Sequence, residues 1–341
     1  MATNAPARPA RRAPGDLPFR FAYRGLVQAL AAERDEPAWL RAERLNASKA
    51  FEALPVEGNQ LYTTYVDLRN ASLETVKPFV RTAVASAGLS AEVPEGVAGI
   101  IEIVEDGIGS VGLSKAAADA GVVLETLGAA LARDPKRLRA ELEGGASLPS
   151  DDKLAALARG FWSQGIRLGV PVGVRLADPI LIRWRSSRPD RALITRTMIA
   201  LGDGASASVV EELEPSGAAV ACAEGETVPQ GLFHGTTEVT LGRDANLAFA
   251  SIQDLPLGQV SFSHRSATIG AGSALHWALA QLGSRLVRSR VDNRLEGDRS
   301  SVEQVEIVFG AEDQLFDLTS YTKHVGRDTT GNLLSKGALL D

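Results

Sequence analysis

The residues Gly107-Ile108-Gly109-Ser110-Val111-Gly112 have the G-x-G-x-x-G spacing that cradles a pyrophosphate where a strand feeds into a helix N-terminus. A strand-like run, GIIEIVED, precedes them, and Glu125 lies 18 residues beyond Gly107, near where a ribose-binding acid would stand. The chemistry would be nucleotide or dinucleotide binding by an enzyme. Against it, the helical stretch LSKAAADA ends quickly at Gly121 and no further strand–helix–strand alternation follows. A Gly-rich turn between strands accounts for the same residues. The other candidates are His234, His264, His276, His324 and the single cysteine, Cys222. No two of the histidines share metal-ligand spacing, so each reads as a structural or surface imidazole. His324 is the least ordinary, because it sits beside Lys323, Arg327 and Asp328. Acidic neighbours around Cys222 disfavour its thiolate and make it a poor nucleophile. No G-x-S-x-G, H-E-x-x-H or P-loop motif occurs. The sequence therefore assigns no catalytic, cofactor-binding or metal residue.

The elements that must position these groups change character along the chain of 341 residues. In the first half, RDEPAWLRAERLNASKAFEALP reads as a helix with Asp35 as cap, Pro37 in the first turn, and Leu40, Ala47, Phe51 and Leu54 on one face. A second helix is expected in DPKRLRAELEGG, capped by Asp134, with Pro135 first and Gly144 as a left-handed stop. A third is expected from about Ser150 to Phe161, with Leu154, Leu157, Ala158 and Phe161 inward. GIIEIVE and GVVLETL read as short buried strands between the first two.

From Ile166 onward the pattern becomes a run of short strands: IRLGV, VGVRL, PILIRW, LITRTMIAL, SASVVEEL, TEVTL, NLAFASI, ALHWALAQL, SVEQVEIVF and NLLSKGALL. Related turns at Gly202, Gly242, Gly270, Gly297 and Gly310 are spaced by 40, 28, 27 and 13 residues, near multiples of about 13 to 14. That is the signature of a parallel β-helix with similar half-coils, the Gly residues standing at its corners. Aromatics at 5% and 33 Gly suit a narrow interior of branched and small side chains. A β-sandwich is the competing architecture.

Composition removes several functions. A net charge of −6 lacks the basic footprint of a nucleic-acid binder. One cysteine excludes an internal disulfide and a Cys-rich cluster site built by this chain alone, and fits a cytoplasmic protein. No apolar run approaches a bilayer span. The Arg-containing segment APARPARRAPG reads as part of a disordered tail, residues 1–16.

The segment FWSQGIRLGVPVGVRLADPILIRW, followed by TRTMIALGDGASASVVEEL, resembles the start of the β-helical core of the SufB/SufD family. EPAWLRAERLNASKAFEALP is similar to that family's N-terminal Glu-Pro-x-Trp helix, and FDLTSYTKHVGRDTTGNLLSKGALLD to a late coil. GVVLETLGAALARDPKRL likewise resembles a strand and helix of the family's N-terminal domain, which makes the Gly107–Gly112 motif a connector. SufB-like chains carry a Cys shortly after Val-Val-Glu. Here VVEELEP has Leu213 near that place, which favours SufD. The resemblance implies a right-handed parallel β-helix over residues 161–341, a mixed α/β N-terminal domain over 17–160, and a non-catalytic scaffold. It would pair with a SufB-type subunit and dock the SufC-type ATPase. Iron–sulfur cluster and ATP would belong to the complex. The family's far-end Cys and His and its C-terminal helices are not matched before Asp341, which implies a truncated chain with an open final coil and a tendency to self-associate as a homo-oligomer. A generic β-helix acting on carbohydrate would need aligned Asp or Arg on one face.

Overall fold

A computed structural model describes residues 19–54, 71–80, 92–145, 148–217 and 229–340. Cys222 and the expected tail over residues 1–16 lie outside the described residues. Strands occupy 47% of the chain and helices 20%, and the strands wind into a β-solenoid of about six turns that carries the N-terminal helices, as the sequence pattern predicts.

The N-terminal part contributes α1 (Arg24–Glu33), α2 (Ala38–Ala53), β1 (Lys77–Pro78), β2 (Gly99–Val104), β3 (Gly107–Leu113), α3 (Lys115–Asp119), β4 (Val123–Thr126), α4 (Leu127–Arg133), α5 (Pro135–Gly144) and α6 (Lys153–Phe161). The solenoid strands are β5 (Gln164–Val170), β6 (Ile180–Arg185), β7 (Arg191–Leu201), β8 (Ser206–Glu214), β9 (Gly231–Leu241), β10 (Asn246–Gln253), β11 (Gln259–Ile269), β12 (Ala274–Gln281), β13 (Leu286–Leu295), β14 (Ser301–Ala311), β15 (Leu315–His324) and β16 (Thr330–Leu340). The odd solenoid strands stack in one sheet, β15-β13-β11-β9-β7-β5, continued by β4, and the even ones in the other, β16-β14-β12-β10-β8-β6, continued by β2-β3. The ladders from β5 to β16 are all parallel.

Strand period explains the two cores. Alternate residues of each odd strand point inward or outward. Inward residues such as Phe233, Val239, Ile269 and Val291 meet Val209, Phe249 and Trp277 of the even sheet. Outward residues Ile194, Leu232, Phe262 and Leu286 pack under Leu154, Leu157 and Phe161 of α6 and Leu40 and Phe51 of α2. The odd sheet is thus covered on both faces, and a strand buried on both faces need not alternate in sequence.

The corners repeat with a full-coil period. Gly204, Asp244, Gly272, Arg299 and Asp328 all have φ between 53° and 69°. Each of the first four donates its amide to the corner carbonyl of the next coil, at 2.7–2.9 Å. Two residues earlier stand Gly202, Gly242, Gly270, Gly297 and Gly326, where the preceding coil runs against the backbone. A Cβ on Gly242 would lie 2.8 Å from Asp203 N and 3.0 Å from Gly202 C.

Several expectations are corrected. Gly310 is inside β14, not at a corner, and a Cβ there would meet Phe316; the fifth corner of this column is at Gly326. VGVRL forms a corner with one isolated bridge, Arg175 to Ser206, because Gly173 turns left-handed (φ 72°). Asp35 closes α1 at φ 47° and does not cap α2, whose first turn follows Pro37. Asp134 and Pro135 do start α5, Asp134 accepting the Arg137 amide at 3.0 Å, but Gly144 is its last helical residue and Gly145 is extended (φ −88°). Gly107–Gly112 is neither a turn nor a phosphate loop. It is most of β3, an antiparallel edge strand paired with β2, and the turn is Glu105-Asp106. The helix after it, α3, has 5 residues.

Candidate functional site

The histidines and the charged residues they meet are sorted by face. His234 and His264 lie on the outward face of the odd sheet, beneath α6, with relative exposures of 0% and 3%. Register places His234 beside Phe262 and Phe262 beside Arg288, and His264 beside Arg290. Asp152 caps α6, accepting the Ala155 amide at 2.7 Å through Oδ1, and its Oδ2 accepts Arg290 Nη1 at 2.8 Å. Arg290 also grips Asp292, at 2.8 and 3.2 Å, and His264 Nε2 donates to Asp292 at 2.5 Å. This buried ion network fastens the start of α6 to β11 and β13.

Burial alone would raise the pKa of Asp292, but the His264 hydrogen bond and charge, then Arg290, outweigh it and hold the carboxyl below its ordinary value. For Asp152 burial is opposed by His264, Arg288, the Ala155 amide and Arg290, again with a net lowering. Burial pushes His234 down to about 4. Its Nε2 donates to Leu154 O at 2.8 Å, while Nδ1 faces Phe262 O at 3.3 Å. A neutral imidazole can donate through only one of those nitrogens.

A second polar set lies inside the solenoid. Arg265 Nη2 donates to Glu211 Oε2 at 2.8 Å and to Ser251 Oγ at 2.9 Å, and Ser251 Oγ donates to the same carboxylate at 2.8 Å. Further along, Trp277 Nε1 donates to Asn293 Oδ1 at 3.0 Å, and Gln304 Nε2 to Ser320 Oγ at 2.7 Å. Gln281 Nε2 donates to Glu306 Oε1 at 3.2 Å. These groups can hold coils in register. They can also carry hydrogen bonds along an otherwise apolar interior.

A third set marks the Trp-Ser turn that leads into β5. Arg44 is fully buried, forks onto Glu36 at 2.8 Å through two nitrogens, donates to Gly160 O and Trp162 O, and stacks 4.3 Å from the Trp162 ring. Arg34 donates to Ser163 O at 2.7 Å. Sequence reasoning missed this staple, although Arg44 falls on the apolar stripe of Leu40, Ala47 and Phe51, which was the available signal.

The remaining candidates are dispersed. His276 is exposed on the outer face of the even sheet, 3.1 Å from Glu303, and His324 is exposed, 2.7 Å from Thr329 Oγ1. Glu125 is engaged by Arg133 at 2.7 Å and Arg167 at 3.0 Å, which occupies the acid a ribose would need. Leu213 points into the core at 2% exposure. Among the described residues no group of three or more His, Cys, Asp or Glu is arranged to hold a metal ion, and no helix is long and apolar enough to cross a membrane.

A two-sheet parallel solenoid with a helical layer stapled to one sheet defines a class of elongated β-helix proteins. The family model for the SufBD core domain of the SUF system for FeS cluster assembly matches residues 184–341, the coils from the end of β6 onward. An iron–sulfur cluster assembly SufBD family protein of Staphylococcus haemolyticus is 23% identical, aligned over 96% of this chain and 74% of its own length. One from Staphylococcus epidermidis is 23% identical over 94% and 70%, and one from Staphylococcus aureus 22% over 96% and 74%. The core match over residues 184–341 and the similarity of nearly the whole chain to these relatives support the SufB/SufD family, and with it involvement in iron–sulfur cluster assembly.

Proposed function

We propose that this chain is a SufD-type, non-catalytic scaffold subunit of a cytoplasmic iron–sulfur cluster assembly complex. It pairs with a SufB-type subunit, docks a SufC-type ATPase, and receives cluster and ATP as cargo and fuel of the complex, not as residents of its own fold. The observation that carries this reading is the coincidence of the SufBD core match at residues 184–341 with the stacked coils. A stack of parallel coils with a filled interior is a stiff rod whose surface is set coil by coil, which suits a subunit that positions others. Leu213 near the place of a SufB-type Cys favours the SufD assignment.

The test is co-expression of the full chain with the SufB-type and SufC-type subunits of the same organism, followed by light scattering on the purified material. A stable particle containing all three, with ATPase activity above that of the SufC-type subunit alone, is expected. Failure of the chain to co-purify with either subunit would reject the scaffold reading.

A further inference from the structure

Where the helical layer ends, the outward face of the odd sheet opens into a groove of about 710 Å³ between the segment Leu148–Arg159 and strands β11, β13 and β15. The size is that of a small-molecule site, and the seam between a helical layer and a sheet is a common place for one. Arg159, Thr268, Asp292, Arg294, Tyr321 and Lys323 line it.

Its charges do not cancel. Asp292 is already paired with Arg290 at 2.8 Å and hydrogen-bonded to His264 at 2.5 Å. Glu296, at the far rim, is held by Arg294. Arg159 spends one nitrogen on a neutral acceptor, Leu148 O at 3.2 Å, and has no carboxylate within ion-pair reach among the described residues. Lys323 is exposed and makes no hydrogen bond or ion pair among them. Among the described residues Lys323 therefore has no paired counter-charge, and Arg159 none in direct contact, with Glu238, Glu43 and Asp152 acting on it only at longer range, in a chain whose net charge is −6. Arg294 stands beside Lys323 in register, its charge shared with Glu296 at the rim. Arg290 lies over the Tyr321 ring at 5.1 Å, and register places Tyr321 beside Asp292 and Lys323 beside Arg294, so the ring forms an aromatic wall one step along β15 from these two cations. Thr268 supplies a hydroxyl on the neighbouring strand.

We propose that this groove binds a small molecule bearing a phosphate group. Phosphate offers several acceptor oxygens and a double negative charge to guanidinium and ammonium donors converging from three elements. Tyr321 provides a face for the remainder of the molecule. The proposal goes beyond the scaffold reading, and binding by the isolated chain does not depend on any partner subunit.

The full chain is titrated calorimetrically with inorganic pyrophosphate and, separately, with ADP, at 50 and 200 mM salt. Saturable one-to-one binding of at least one probe is expected, weaker at the higher salt. Lys323→Glu and Arg294→Gln, both at exposed positions, should each weaken it about tenfold or more, the scale of losing one charge-assisted contact. Unchanged thermal unfolding of the variants shows that the fold stands. No saturable binding of either probe overturns the proposal. So does binding that both substitutions leave unchanged, which would place the ligand elsewhere on the chain.

Discussion

Arg265 on β11 and Glu211 on β8 stand 54 residues apart in sequence and meet inside the solenoid, Nη2 to Oε2, at 2.8 Å with both residues about 95% buried. Ser251 and Ser263 take two further hydrogen bonds, the latter accepting Arg265 Nη1 at 3.2 Å, while Arg265 Nε has no partner among the described residues. A charge pair with this burial is costly to form but far more costly to break, because truncating one partner strands the other. Glu211→Ala should cost ~3–5 kcal/mol in urea unfolding, whereas Glu211→Leu combined with Arg265→Met should recover most of the loss. A cost below about 1 kcal/mol for the single change would mean that water reaches the arginine.

His234 should make the fold acid-sensitive before any carboxylate does. Its folded pKa is depressed to about 4 from an ordinary value of 6.5. Above the ordinary value both states are neutral and the folded state carries no penalty. As pH falls through that window the unfolded chain takes up a proton that the buried ring refuses, so stability declines by roughly 3 kcal/mol in all. Asp152 and Asp292, held below their ordinary values, add their own loss only at lower pH. His234→Gln keeps a donor for Leu154 O and removes the titration. Its stability should be flat from about pH 6.5 to 4.5, and an undiminished slope would assign the effect to another group.

Sequence reasoning recovered strands with an apolar inward row and a more exposed outward one, as in β10 and β14, and also the doubly buried β5 and β7, which are rich in Leu and Ile. It passed over β11 and β13, because QVSFSHRSATI and LVRSRVDNRL interleave Ser, Arg, His and Asn with the apolar residues. Those residues are covered on both faces: Arg265, Ser289 and Asn293 buried inside, His264 and Arg288 buried and Arg290 half-buried on the α6 side. Buried polar residues defeat a hydrophobicity pattern, whether paired, as Asn293 is with Trp277, or without a partner among the described residues, as Ser289 Oγ is. The same cause hid the candidate sites. The partners of His264 lie on α6 and β13, over a hundred residues away in one case, and no local spacing records that. The Gly-Asp-Gly type corners were legible because backbone crowding acts on every coil alike, but the spacing also drew in Gly310, which is small for a side-chain reason, the ring of Phe316.

Corner crowding can be tested against a glycine that is merely tolerated. In Gly242→Ala the new methyl meets backbone of the preceding coil at 2.8 and 3.0 Å, and neither contact can yield by a rotamer change. A loss of about 1–3 kcal/mol is expected. Gly144 ends α5 with nothing within 4 Å of its added Cβ. Gly144→Ala should be neutral or gain up to ~1 kcal/mol from helix propensity. Equal effects at the two positions, measured by thermal unfolding, would show that coil spacing relaxes to accept the methyl.

Glu306 shares an inward row with Glu211: Glu211 is in register with Ser251, Ser251 with Leu279, and Leu279 with Glu306. The two carboxyls are treated differently by their surroundings. Glu211 has Arg265, but Glu306, at 0% exposure, has only the neutral Gln281 amide on Oε1, and its Oε2 has no hydrogen-bond partner among the described residues. A buried carboxylate is a cost to the fold that an isosteric amide reduces, since the amide keeps the acceptor for Gln281 and carries no charge, its NH2 exchanging one unpartnered polar atom for another. Glu306→Gln should therefore raise stability at pH 7 by ~1–3 kcal/mol, read as a higher urea midpoint with an unchanged slope. Glu306→Leu should gain less, because it removes the acceptor for Gln281 Nε2 and leaves that donor buried without a partner. A loss of stability in Glu306→Gln would show that the carboxylate has a cationic partner in solution.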